Sequence, residues 1–133
     1  MEDLVLLNAL GVHLVLVQST RHTIDSYIRE QGIANTHHGH RRITDETLLK
    51  KIIELACKNE LIFRGLFMRA LDRNRSRSSL ISGNFVSAKP LGIHEGIDHK
   101  LTGSVRRVDA GGIRRQLDAG SVVYLDHLTH SPA

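Results

Sequence analysis

The chain has 133 residues, 41% of them hydrophobic, with only 2 prolines and a formal net charge of +4. That length suits one domain or a piece of one, and that apolar content excludes a disordered chain. With no recognition motif, aromatic platform or membrane-length apolar run, the basic balance reads as a solvated or substrate-facing surface, not as nucleic-acid or membrane binding.

Leu4, Leu6, Leu7 and Leu10 predict a short helix with an apolar face, and Gly11 is a natural stop. Val12 to Val17 follows as a β-branched run of strand length. Its near-continuous apolarity predicts burial on both faces, as in a parallel sheet. Ser19 and Thr20 offer N-cap oxygens to a helix from Arg21 to about Gln31, which Gly32 closes. Residues 33–43 carry little apolar material and read as a loop. Thr44 is expected to cap the next helix, with Asp45 and Glu46 in its first turn, where the helix dipole favours acids. Leu48, Leu49, Ile52, Ile53 and Ala56 recur at helical spacing, and Phe63, Leu66, Phe67 and Ala70 extend the stripe past Gly65, a candidate break.

Residues 72–79 are polar and Arg/Ser-rich, as in an exposed connection. Leu80-Ile81 and Phe85-Val86 predict strand around a Gly83-Asn84 turn, with residues 101–108 as an antiparallel partner. Asp109 is placed to cap a helix through Leu117, which Gly120 ends before the strand Ser121 to Leu125. Strands alternating with helices favour an α/β layered architecture with right-handed crossovers.

Several residues have an ordinary reading beside a chemical one. Cys57 is the sole cysteine and lies in the apolar pattern, so it reads as a core thiol. His37, His38 and His40 lack a Cys or carboxylate at ligand spacing, so they read as a solvated cluster rather than a metal site. Ser19, Thr20 and Arg21 sit where a strand-to-helix turn presents N–H groups to an anion, or where simple capping occurs.

The stretch Ser82-Gly83-Asn84-Phe85-Val86-Ser87-Ala88-Lys89-Pro90-Leu91-Gly92 is the most specific in the chain. Gly96-Ile97-Asp98, Thr102-Gly103-Ser104-Val105-Arg106-Arg107-Val108-Asp109 and Ile113 through Ser121 follow it in order. Leu10-Gly11-Val12, Thr20 through Asp25 and Arg42-Ile43-Thr44-Asp45 add to it. Together they resemble the amino-acid-kinase-like domain of the N-acetylglutamate synthases, from about Asp3 to Pro132.

That resemblance implies an incomplete three-layer αβα sandwich of the amino-acid kinase type, with a mainly parallel sheet and a β-hairpin. It implies one partial domain over residues 1–133 with no acetyltransferase domain. The opening glycine loop would lie before Met1 and the nucleotide half beyond Ala133. In its longer context the family transfers acetyl from acetyl-CoA to L-glutamate, the first step of arginine biosynthesis. The fragment itself would hold no cofactor and no catalytic residue, and would act as scaffold or regulator. Partners implied are L-glutamate or N-acetylglutamate, arginine and further copies of the chain. The expected compartment is cytoplasmic, or a plastid where a leader precedes the chain. An acetylglutamate kinase and a non-catalytic interaction fragment are the alternatives.

Residue by residue, Arg42 matches the arginine that pairs with a substrate carboxylate in kinase relatives, and a planar guanidinium suits that task. Ser19, Thr20 and Arg21 match the ligand-facing turn, while Gly83-Asn84 reads as turn chemistry first and Asn84 as a ligand contact second. The turn departs from the family pattern. Ser19 stands for glycine, His22-Thr23 for proline-glutamine, and Ser104 for an acidic residue. A Cβ at position 19 is expected to change the local backbone. An α/β piece with open sheet edges is also expected to self-associate.

Overall fold

The computed structural model describes residues 1–32, 37–38, 41–129 and 131. Its centre is a three-stranded parallel sheet ordered β1 (Val15–Val17), β9 (Val122–Leu125), β4 (Leu80–Ile81). Val15 pairs with Val123, and Leu80 with Val122. The middle strand β9 is fully covered over Val122, Val123 and Tyr124, because it has a neighbour on each side.

Strand β1 is shorter than the Val12 to Val17 run. Its Val15 and Val17 are exposed, with Val17 at 74%. The parallel pairing is as expected but the two-faced burial is not, since β1 lies at the sheet's edge.

Helices α1 (Glu2–Ala9) and α3 (Glu46–Arg73) cover the sheet by packing Val5, Phe67 and Ala70 on Val122 of β9, with Leu14, Leu16, Phe63 and Leu80 around them. The inward residue of α1 is Val5. Leu6, Leu7 and Leu10 face solvent, so the leucine spacing did not mark the buried side. Helix α2 (Arg21–Glu30) packs Ile24 and Ile28 on Ile52 of α3, forming a second apolar cluster with Tyr27, Leu48, Leu55 and Leu128.

Helix α3 runs unbroken for 28 residues, through Gly65. Its N-cap is Asp45, whose carboxylate accepts from Leu48 N at 2.7 Å. The expected cap, Thr44, is buried instead and bridges to Lys100. A helix this long has more apolar positions than the core can cover. Ile53 and Leu66 are exposed, and so is Cys57, which is therefore not a core thiol.

The segment read as a loop contains a small hairpin, β2 (His37–His38) with β3 (Arg41–Arg42). Residues 33–36 and 39–40, His40 among them, lie outside the described residues. A second antiparallel pair joins β5 (Val86–Pro90) to β8 (Gly103–Val108), with an irregularity between Ser87 and Ala88. Val86 thus meets the partner expected for it, whereas Leu80-Ile81, read as part of the same strand pair, lies instead beside β9 in the parallel sheet. Between them lies a further two-residue hairpin, β6 (Ile93–His94) with β7 (Ile97–Asp98). Helix α4 (Ala110–Asp118) begins at Asp109, as its sequence implies, and packs against β9. Gly120 then turns the chain at φ +88°, a conformation glycine adopts without strain.

Candidate functional site

All three parallel strands end on the same side. Gln18–Thr20 follows β1, Ser82–Asn84 follows β4 and Asp126–Thr129 follows β9. Carboxyl ends of parallel strands are where open α/β sheets hold their ligands. Two adjoining cavities open there. One, of about 530 Å³, is lined by Glu60, Ser82, Asn84, Tyr124 and Asp126. The other, of about 480 Å³, is more apolar and is lined by Val86, Ala88, Lys100, Thr102 and His127. Asp126, Leu128 and Thr129 border both.

Polar contacts tie the strand ends together. Gln18 N donates to Leu125 O at 2.9 Å, and the Tyr124 hydroxyl donates to Gln18 Oε1. Burial, with Asp126 and Glu60 adding to it, pushes the Tyr124 phenol above its ordinary value, so it remains a hydrogen-bond donor. Glu60 accepts from Ser82 Oγ at 2.7 Å and from Arg64 Nη2 at 3.0 Å.

Thr20 is the N-cap residue of α2, but its hydroxyl makes no capping bond. It is 1% exposed and meets His127 Nε2 at 2.9 Å. Ser19 is exposed, and its Oγ accepts from Arg21 N at 3.2 Å in a local turn. Arg21 is exposed at the start of α2. The non-glycine residues in the left-handed region are Arg75, Glu95 and Lys100 among the described residues. Ser19 is not one of them, so its Cβ is carried on ordinary backbone.

Arg42 lies on β3 with its side chain 11% exposed, and Nη2 donates to Asp25 Oδ1 at 2.5 Å. It is therefore held in place by an acid from α2 rather than free in a loop. The Thr102 hydroxyl donates to the Arg42 carbonyl, anchoring this strand to the start of β8. Arg42 also acts on His127. Partial burial of the imidazole holds it below its ordinary value, Asp126 opposes that, and the Arg42 guanidinium adds to it.

The five residues singled out in the sequence are thus brought together unevenly. Thr20 meets the His127 ring directly, and the Arg42 charge acts on that ring. Ser19 and Arg21 flank Thr20 at the surface, and Asn84 lines the neighbouring cavity. The sequence reading missed His127, Asp25, Gln18 and Tyr124. Asp25 lies four residues after Arg21, within the matched Thr20 through Asp25 segment, and was the one within reach. His127 meets Thr20 across 107 positions, a contact that no local pattern signals. Among the described residues, no group of three or more His, Cys, Asp or Glu side chains is arranged to hold a metal. No helix of the described residues is long and apolar enough to cross a membrane.

Comparison with known proteins agrees with the fold. The amino-acid acetyltransferase of Ectopseudomonas mendocina is 41% identical over 98% of this chain. The chain is a homologue of one segment of the amino-acid acetyltransferases. It spans 31% of that relative's length. Two solved N-acetylglutamate synthase structures from Neisseria gonorrhoeae superpose on it. The one complexed with coenzyme A and L-arginine gives a TM-score of 0.85 at 34% identity, covering 98% of this chain and 31% of that one. The one complexed with coenzyme A and N-acetyl-glutamate gives 0.84 at 36% identity, covering 98% and 29%. No family model matches the chain.

Proposed function

We propose that residues 1–133 are a partial amino-acid-kinase-like domain, an incomplete three-layer αβα sandwich, of an N-acetylglutamate synthase. In that enzyme the acetyl group of acetyl-CoA passes to the amine of L-glutamate, giving N-acetylglutamate for arginine synthesis. The role proposed for this segment is scaffold and regulation. It supplies no catalytic residue to acetyl transfer.

The observation that carries this reading is the superposition of nearly the whole chain on N-acetylglutamate synthase, with Thr20 and Asn84 just beyond the ends of its parallel strands. The relatives bear an acetyltransferase name, so the kinase alternative is not favoured. At the rim, an amino-acid carboxylate would be received by Arg42, whose fork shape suits bidentate pairing. Because Asp25 already holds that guanidinium, the ligand must share it or displace the acid. Asn84, exposed on the adjoining cavity, would supply an amide to the same ligand.

Calorimetric titration of the 133-residue chain with L-arginine, N-acetylglutamate and L-glutamate tests the reading, alongside an assay of acetyl transfer from acetyl-CoA. The expected result is saturable binding of one of these amino acids without transfer. Absence of binding by well-folded protein would turn the assignment towards a non-catalytic interaction piece. Transfer by this chain alone would overturn the domain assignment.

A further inference from the structure

We propose that the turn Asp126–Thr129 is a pH-sensitive latch over the strand ends, and that a carboxylate ligand reaches Thr20 and Arg42 only once His127 releases Thr20. The ligand part rests on the function proposed above. The latch itself stands on contacts within the chain.

Three successive residues of the turn each grip a different element. The His127 ring meets the buried Thr20 hydroxyl at the start of α2. Leu128 packs into the apolar cluster of Ile24, Ile28 and Ile52. The Thr129 hydroxyl donates to the Val86 carbonyl on β5. Asp126 shapes the turn by accepting from Leu128 N at 2.8 Å. The segment therefore lies across the rim like a strap, and Thr20 is closed to solvent beneath it. A ligand that needs the Thr20 hydroxyl or the adjacent helix start competes with His127 for it.

The charges around the ring give the strap its pH response. Asp126 is its own neighbour, the charge of Arg42 on β3, itself paired with Asp25 of α2, acts on it, and Lys89 and Lys100 line the same cavity. Cations outnumber acids there. Partial burial, then Arg42, hold the imidazole below its ordinary 6.5 against the pull of Asp126. The latched form thus binds fewer protons than the released form. The latch is strongest above the ordinary histidine range and is lost as pH falls through it towards the lowered value.

The test follows His127 and the Leu128 methyls by NMR through a pH titration of the 133-residue chain, with Thr20→Val and His127→Ala. Thr20→Val keeps the buried shape, and His127→Ala changes a residue with a solvent-facing edge, so both should fold. The expected result is a wild-type His127 that titrates low, with Leu128 methyls moving in step, and a Thr20→Val protein whose His127 titrates closer to 6.5. N-acetylglutamate, used as the carboxylate probe at pH 7.5, should bind His127→Ala about fivefold tighter than wild type, the ordinary net worth of one hydrogen bond. A wild-type His127 titrating at its ordinary value with unmoved Leu128 methyls overturns the latch. Equal affinity in wild type and His127→Ala overturns the gating. Loss of probe binding in all three proteins, with the methyl response intact, overturns the proposed ligand site and leaves the latch standing.

Discussion

The Asp109 carboxylate occupies the space that a side chain on Gly112 would need. A Cβ built on Gly112 would stand 2.5 Å from Asp109 Oδ2, while Oδ1 accepts from Gly112 N at 2.9 Å. The N-cap of α4 and its glycine are therefore one device. Gly112→Ala is expected to destabilise by about 1–2 kcal/mol, and Asp109→Ala by about 1 kcal/mol. Because both break the same cap, chemical denaturation of the double variant should show less than the sum.

Phe67 is the largest fully buried side chain among the described residues, stacked 6.5 Å from Phe63 in the cluster beneath the sheet. Phe67→Ala should cost about 3–5 kcal/mol, the usual toll for emptying an aromatic core site. Leu61, on the open face of the same helix at 66% exposure, should cost no more than about 0.5 kcal/mol as alanine. Equal costs in denaturant melts would contradict the orientation of α3.

Cys57 is exposed. A thiol-specific reagent should modify it in the native protein nearly as fast as in denaturant, because access controls the rate. A thiol that reacts only on unfolding would return it to the core.

Glu2 joins the chain's start to the end of α3, accepting from Asn74 Nδ2 and from Arg73 Nε at 2.7 Å. The Asn74 bond first, then Arg73, lowers its carboxyl below the ordinary 4.5. A lowered carboxylate stabilises above its ordinary value, and that contribution is lost as pH falls through the folded one. Glu2→Gln should therefore flatten the acid limb of a stability-versus-pH curve and change little near neutrality beyond the lost ion pair. An unchanged acid limb would argue against the contact.

Much of the fold was legible because it is encoded locally. Gly11 and Gly120 mark element ends, Asp109 marks a helix start, and the residues 101–108 strand finds its partner at β5. What stayed hidden depends on distant chain. Edge or centre position decides whether a valine run is covered, and β1 is at the edge. Apolar spacing cannot say which of two faces of a 28-residue helix is buried, so Cys57 was misplaced. The hairpin at His37–His38 and Arg41–Arg42 is built from residues without strand preference, so nothing in the sequence announced it. At the site, Thr20 and Arg42 were visible through resemblance. Their partners His127 and Asp25 emerge only when the chain is folded.

The most direct test of the central claim maps amide shifts in the 133-residue chain as N-acetylglutamate is added. The account predicts that perturbations gather at Gln18–Arg21, Asn84 and Asp126–Thr129, and that Arg42→Ala abolishes them. Perturbations confined to other surfaces, or unaffected by Arg42→Ala, would contradict it.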